Sequence, residues 1–404
     1  MFGRSIKLFT IFGFRVSIDL SWLIILVLVV WTLAGGVFPQ TFPDLPRWTH
    51  WVMGLAAALG LFASIVFHEM WHSLIARRYG MPMEGITLFL FGGVAEMKDQ
   101  PPSPKAEFWM AVAGPLASVF VAGMFLGLTF LGYSLNWPDQ VTGVTRWIGV
   151  INIILVIFNL IPGFPLDGGR VLRSILWHFK GNLRKATRTA SRVGGGFGLV
   201  LIGIGILNLL SMNPLGGLWW ILIGMFIRAA AKQGYQQVLV RQMLKGEPVK
   251  RFMNPDPVTV TQDVTIDRLV DEYVYHYHHK LYPVVKDGRL VGCVTTRDIR
   301  QVPREKWSEQ TVGDVADSCS DENTIGPEED AMDVLTQMSS KGKSRYVVVE
   351  DSTVKGIVSL KDLMGLLALK LELEDENPSE AGVSKGADRN PVAELAADSS
   401  TDRE

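Results

Sequence analysis

The sequence predicts a multi-pass α-helical membrane protein of about six transmembrane helices, with a short membrane-associated β segment, followed by a cytoplasmic α/β tandem domain. Three observations predict it. Apolar residues are blocked rather than spread: the runs 22–30, 112–131, 148–161 and 199–210 carry almost no charge, and each reaches or approaches the roughly 20 residues that cross a bilayer. After about Gln233 the chain becomes charged and soluble in character. From about 248 to 367 it repeats itself imperfectly.

The expected spans are 17–37, 51–79, 106–133, 147–178, 194–211 and 215–233. Arg4, Lys7 and Arg15 precede the first in the manner of a signal peptide, but no small-residue cleavage site follows cleanly, so this span reads as an uncleaved anchor. Positive charge in short loops stays cytoplasmic, and Arg4, Lys7, Arg15, Arg77, Arg78, Lys105, Arg170, Arg173, Arg184, Lys185, Arg188 and Arg192 all fall on one side of this arrangement. The opposite loops offer Arg47 and Arg146. Both termini are therefore expected in the cytoplasm of a cell-membrane protein, and the His-containing end of the second span meets the Asp167 end of the fourth at the same leaflet.

Composition excludes some functions. The formal net charge of -1 averages two unlike regions, and no basic stripe with interleaved aromatics points to nucleic acid. Cys293 and Cys319 both lie in the soluble part and form no ligand or disulfide framework.

The candidate chemistry begins at His68-Glu69-Met70-Trp71-His72. Two histidines four positions apart share one helical face about one turn apart, so both imidazoles can hold one zinc ion. Glu69 is not needed as a ligand and is free to take a proton from an activated water and pass it to a leaving amine. HExxH also arises by chance in soluble helices. Here, however, three ionisable side chains follow an apolar run, 54–62, where a charged group costs about 2 to 3 kcal/mol on insertion scales. Metal binding accounts for all three.

A catalytic zinc takes three protein ligands and leaves a position for water. Asp167 is the best third ligand. It lies in Asn159-Leu160-Ile161-Pro162-Gly163-Phe164-Pro165-Leu166-Asp167-Gly168-Gly169-Arg170, where two prolines and three glycines break an apolar helix. Broken backbone at membrane depth is tolerated where it is buried in protein or lines a wet cavity. A plain kink accounts for the prolines but not for Asp167. Asn159 can donate to the oxyanion of a tetrahedral intermediate, or it can bridge helices.

HEMWH followed by NLIPGFPLDGGR resembles the paired motifs of the site-2 protease family of intramembrane zinc metalloproteases, peptidase family M50, over about residues 1–235. The resemblance implies one catalytic Zn2+ per chain held by His68, His72 and Asp167, Glu69 as general base or acid, and Asn159 as a polar active-site residue. It also implies regulated intramembrane proteolysis, with single-pass membrane proteins such as anti-sigma-factor-like or signalling precursors as substrates.

Cutting a transmembrane helix requires local unwinding, and an opened strand needs a partner. The segment 85–95, Gly-Ile-Thr-Leu-Phe-Leu-Phe-Gly-Gly-Val-Ala, is rich in strand formers and breaks at two glycines. It is expected to form a partly membrane-inserted strand or hairpin that pairs with substrate, the alternative being a re-entrant loop that only shields the site. Ala113-Gly114-Pro115-Leu116-Ala117-Ser118, like the AGP segment common in the family, is assigned to helix packing near the site and not to chemistry.

In the soluble half, Leu281-Tyr282-Pro283-Val284-Val285-Lys286-Asp287-Gly288-Arg289-Leu290-Val291-Gly292 corresponds to Arg345-Tyr346-Val347-Val348-Val349-Glu350-Asp351-Ser352-Thr353-Val354-Lys355-Gly356. Each copy continues from strand into helix, predicting a βαββα unit. The repeat resembles a pair of CBS domains, which implies adenine nucleotide, ATP or AMP, in a cleft between copies, and homodimerisation. By position, Thr295, Asp298, Ser359 and Asp362 are the candidate nucleotide residues: carboxylates for ribose hydroxyls, hydroxyls at helix starts for phosphate. The competing reading is that Asp298 and Asp362 merely favour helix N-termini. Bound nucleotide is expected to alter substrate access through movement against 232–245.

The domain division is therefore 1–235 protease, 236–248 linker, 249–304 and 305–370 CBS domains, and 371–404 a disordered acidic tail. A CBS-gated zinc transporter is the alternative function, since it also places His and Asp inside the membrane. Glu69 separates the two, because only hydrolysis needs its acid-base chemistry.

Overall fold

The computed structural model describes residues 6–81, 83–89, 92–97, 100–211, 214–318 and 323–374, and divides into two units, 1–238 and 239–404. The first unit opens with two strands, β1 (Ile6–Ile11) and β2 (Phe14–Ile18). The helices α1 (Ser21–Thr32) and α2 (Phe38–Thr41) follow, joined by a π turn into one rod. Next come α3 (Arg47–Arg78), β3 (Met83–Phe89), β4 (Gly92–Met97) and α4 (Pro104–Ser134). The unit is completed by α5 (Asp139–Asn159), α6 (Asp167–Lys180), α7 (Leu183–Leu210) and most of α8 (Pro214–Leu244).

Among the described residues, five helices are long and apolar enough to cross a membrane: Ser21–Thr41, α3, α4, α5 and α7. Their side chains are sorted as lipid demands. Large apolar groups such as Ile24, Trp31, Leu55, Phe120 and Phe130 are exposed, while Ala57, Ala58, Ala111, Ala117 and Ser118 fill the interior. Small inward residues let helix backbones approach, since burial against lipid tails supplies no hydrophobic drive between helices. Polar bridges join the rods: Asn152 Nδ2 donates to Ser64 Oγ at 3.1 Å, and Thr129 Oγ1 to Thr145 Oγ1 at 2.9 Å.

Three expectations change here. The fourth expected span, 147–178, is not one helix: α5 stops at Asn159 and α6 begins at Asp167. The expected linker, 236–248, continues α8 as far as Leu244. The first span begins at Ser21 because residues 14–18 pair as a strand with β1 and β3, a pairing that no local periodicity announced. The sixth expected span, 215–233, falls within α8.

The sheet has the order β1-β2-β3-β4, with β2 and β3 parallel and the other pairs antiparallel. Most of the expected 85–95 segment thus forms a hairpin, with Leu88 opposite Gly93; Leu90 and Phe91 lie outside the described residues. Its first strand is interior to the sheet, and among the described residues β4 is one edge strand and β1 the other.

The second unit carries two βαββα copies. The first comprises β5 (Val260–Thr261), the helical stretch α9 (Ile266–Arg268) to α10 (Tyr275–Tyr277), β6 (Leu281–Lys286), β7 (Arg289–Thr295) and α11 (Thr296–Gln301). A short helix, α12 (Val312–Val315), and strand β8 (Asp317–Ser318) follow. The second copy runs through β9 (Thr324–Ile325), α13 (Ala331–Lys341), β10 (Arg345–Glu350), β11 (Thr353–Ser359) and α14 (Leu360–Glu374). The copies match in detail. Tyr282 and Tyr346 are fully buried, and each hairpin turns through left-handed residues, Asp287-Gly288 and Asp351-Ser352. Residues 371–374, expected in the tail, end α14, and 375–404 lie outside the described residues.

Candidate metal centre

Residues 68 and 72 occupy adjacent turns of α3, and both rings are buried. Across from them, Asp167 is the first residue of α6. His68 Nε2 lies 3.1 Å and His72 Nε2 3.2 Å from Asp167 Oδ2, and the two Nε2 atoms stand 3.0 Å apart. Nitrogens about 2.0–2.1 Å from a tetrahedral zinc sit roughly 3.3 Å apart, so this donor set fits one such ion. It is also the chemistry zinc prefers, two imidazoles and a carboxylate.

Helix α4 sets the rings. His72 Nδ1 donates to the carbonyl oxygen of Met110 at 2.6 Å, which leaves the Nε2 lone pair directed at the cluster. His68 Nδ1 lies 2.9 Å from Ser118 Oγ, a hydroxyl that accepts from it in the same tautomer. Between these two supports lies Gly114, where a Cβ would stand 2.1 Å from His72 Nε2 and 2.5 Å from His68 Nε2. Only the absence of a side chain leaves that space open. The sequence assigns 113–118 to packing near the site and not to chemistry, and the structure adds that Ser118 meets His68; the signal for it is the four-residue step from Gly114 to Ser118, which repeats the step between the histidines.

Asp167 is delivered by the break after Asn159. Phe164 N donates to Ala190 O of α7 at 3.1 Å, tying the turn to a neighbouring helix. Glycines make that closeness possible: a Cβ at Gly169 would fall 2.1 Å from Phe164 N, and one at Gly194 would fall 1.9 Å from Phe164 O. Asn159 is half-buried at the last position of α5. Glu69 points elsewhere on α3 from the histidines, half-buried, against β4: a Cβ at Gly93 would stand 2.8 Å from its Cγ.

In the second unit, Thr295 and Asp298 form a reciprocal capping box. Asp298 Oδ2 accepts from Thr295 N at 2.8 Å and from its hydroxyl at 2.6 Å, while Thr295 Oγ1 accepts from Asp298 N. Ser359 and Asp362 make the same bonds at 2.9 and 2.6 Å. Both pairs therefore cap the helices that follow them. Thr295 and Asp298 also line a cavity of about 840 Å3 with Lys280, Arg297, Lys306, Lys343 and Arg345, whereas Ser359 and Asp362 do not. Asp314, on the same cavity, is held below the usual carboxylate range by the Thr311 backbone N–H and hydroxyl.

Comparison with known proteins identifies the family of both halves of the chain. Residues 56–141 and 136–203 match peptidase family M50, and 249–305 and 312–369 each match the CBS domain. A Mycobacterium tuberculosis protein named zinc metalloprotease Rip3 is 35% identical over 387 residues, 95% of this chain and 98% of its own length. A zinc metalloprotease of Methanocaldococcus jannaschii is 33% identical over 374 residues, covering 92% and 99% of the two chains. The solved site-2 protease from Methanocaldococcus jannaschii is 30% identical, covers 57% of this chain and 94% of its own, and superposes with a TM-score of 0.40. Two motifs, two repeats and relatives aligned over nearly their whole length lead to one assignment: the chain belongs to peptidase family M50, as a zinc metalloprotease of the site-2 protease type with a pair of CBS domains.

Proposed function

We propose that this protein hydrolyses peptide bonds within or near the transmembrane segments of single-pass membrane proteins. The observation that carries the reading is the convergence of His68 Nε2, His72 Nε2 and Asp167 Oδ2, three donor atoms within 3.2 Å of one another on two buried helix faces, beside Glu69. His68, His72 and Asp167 hold one zinc, which when bound supplies a Lewis acid and lowers the pKa of a coordinated water. Glu69 accepts the proton of the attacking water and returns it to the leaving amine. Asn159, at the end of α5, donates to the developing oxyanion. The unwound substrate strand adds to the open edge of β4, whose Gly93 abuts Glu69.

The tandem CBS unit supplies regulation in this reading. Adenine nucleotide occupies the cavity lined by Thr295 and Asp298, where the surrounding lysines and arginines suit phosphate. The equivalent Ser359 and Asp362 stand off this cavity and belong to a second, pseudo-symmetric nucleotide site, and the tandem dimerises. Both termini and the CBS domains lie in the cytoplasm, on the side marked by the basic loops.

The test is cleavage of candidate single-pass helices by the full chain reconstituted in vesicles, wild type against Glu69→Gln. The variant is expected to retain zinc and lose cleavage. Substantial cleavage by a zinc-loaded Glu69→Gln protein would reject the mechanism, and zinc movement across sealed vesicles without proteolysis would establish a transporter instead.

A further inference from the structure

Glu107 and Arg173 form a fully buried ion pair that the chemistry above does not use. Glu107 has no exposed surface and Arg173 is 5% exposed. The guanidinium holds Glu107 Oε1 with two N–H groups, Nε at 2.6 Å and Nη2 closer still, and Glu107 Oε2 accepts no hydrogen bond from the described residues. Both nitrogens thus converge on one oxygen, a half-used carboxylate in a place where charge is expensive. Removing both partners of such a pair in favour of apolar groups is often neutral or stabilising, so stability is a weak reason for its presence.

Its position supplies a better one. Glu107 sits in the first turn of α4, and Met110, Gly114 and Ser118 follow it at helical spacings of three, four and four. Those later positions fix His72, clear the space around both rings and fix His68. Arg173 belongs to α6, the helix that begins with Asp167. Its guanidinium also lies 5.1 Å from the centroid of the Phe164 ring, in the turn that leads into Asp167. Arg170, between Asp167 and Arg173 on α6, lies in the fields of Glu69, Asp167 and Glu107. One face of α4 therefore carries the supports of both histidines together with the anchor of the helix that bears the aspartate.

We infer that Glu107 and Arg173 are positioning residues that set the register of α6 against α4, and so hold the Asp167 carboxylate at the distance from His68 and His72 that one metal ion requires. The pair joins α6 to α4 through a buried ionic contact. An apolar contact in its place permits sliding; two N–H groups on one oxygen do not. The inference rests on the reading of His68, His72 and Asp167 as the zinc ligands.

The experiment uses the full chain in detergent micelles and measures three quantities: zinc affinity by chelator competition, the thermal midpoint of the metal-free protein, and kcat and KM on a cleavable helix. The variants are Glu107→Gln, Arg173→Met and the apolar pair Glu107→Leu with Arg173→Met, with Asp167→Ala as reference. Orienting groups behind metal ligands are worth about 10–100-fold in affinity or activity. The apolar pair is expected to keep or raise the metal-free midpoint while zinc affinity and kcat each fall within that range and KM holds, and Arg173→Lys is expected to recover part of both. Wild-type zinc affinity and kcat in the apolar pair overturn the inference, and failure of that pair to fold overturns it in favour of a plain structural staple. Wild-type zinc affinity in Asp167→Ala instead removes the ligand reading beneath it.

Discussion

A Cβ at Gly114 would stand 2.1 Å from Nε2 of His72, and a Cβ at Gly93 would stand 2.8 Å from Cγ of Glu69. The two glycines thus border different parts of the candidate site, the His68–His72–Asp167 cluster and the proposed acid-base residue Glu69. Gly114→Ala forces both imidazoles aside, and a displacement of about 1 Å at a catalytic centre costs roughly 100-fold. Zinc content and kcat are expected to fall together. Gly93→Ala crowds the stem of Glu69 without touching the histidines, so kcat falls while zinc content measured by emission spectrometry stays at one per chain. Loss of zinc from Gly93→Ala would show that the two halves of the site are not separable in this way.

Ser118→Ala removes the oxygen facing His68 Nδ1 at 2.9 Å in a position with almost no exposure. A buried donor left unpaired costs about 1–3 kcal/mol, and the ring loses the constraint on its orientation. Zinc affinity is expected to drop about 10–100-fold, with Ser118→Thr, which keeps a hydroxyl, closer to wild type if its methyl group fits. Chelator competition on the purified chain reads both values, and an unchanged affinity in Ser118→Ala would mean that His68 is oriented by packing alone.

How much of this could be read from the chain alone follows from which signals are local. HExxH and the broken Asn159–Arg170 segment announce their chemistry because residue type and spacing suffice. The CBS repeat is equally plain, since Tyr282 and Tyr346 with their following glycines recur at matched positions. The pairing of β2 with β3 was invisible because its partners lie about 70 residues apart, Val16 opposite Ile86, and strand pairing leaves no mark on either segment by itself. The split of the fourth span was half legible: the prolines and glycines marked a break, but hydropathy continued across it. Ser118 and Gly114 looked like ordinary small residues of a membrane helix, because their task depends on which side chain faces them.

The two capping boxes give a clean internal control. Thr295→Ala and Ser359→Ala each remove a helix N-cap, worth about 1 kcal/mol of stability in the second unit. Only Thr295 lines the basic cavity. Calorimetric titration of the full chain with ATP and AMP is therefore expected to show weakened binding for Thr295→Ala and near wild-type affinity for Ser359→Ala at that cavity, with similar losses of thermal stability. Equal weakening by both would place the ligand on a different surface from this cavity.

In the proposed mechanism the edge of the sheet holds substrate. Proline anywhere in β3 breaks a strand that is paired on both sides, by β2 and by β4, so impaired cleavage there reports on folding and not on substrate. The informative positions are Val94 and Ala95 of β4, opposite Thr87 and Ile86, where successive N–H groups alternate between β3 and the open edge. Proline at an outward N–H removes one bond to an added strand, worth about 1 kcal/mol or roughly fivefold in KM, while the β3 ladder survives. Proline at an inward N–H damages the hairpin itself. Strand addition therefore predicts opposite outcomes at Val94 and Ala95: raised KM with retained zinc and fold at one, loss of stability at the other. Wild-type KM at every folded, zinc-loaded position would leave the hairpin as a shield over Glu69 and remove substrate pairing from the mechanism.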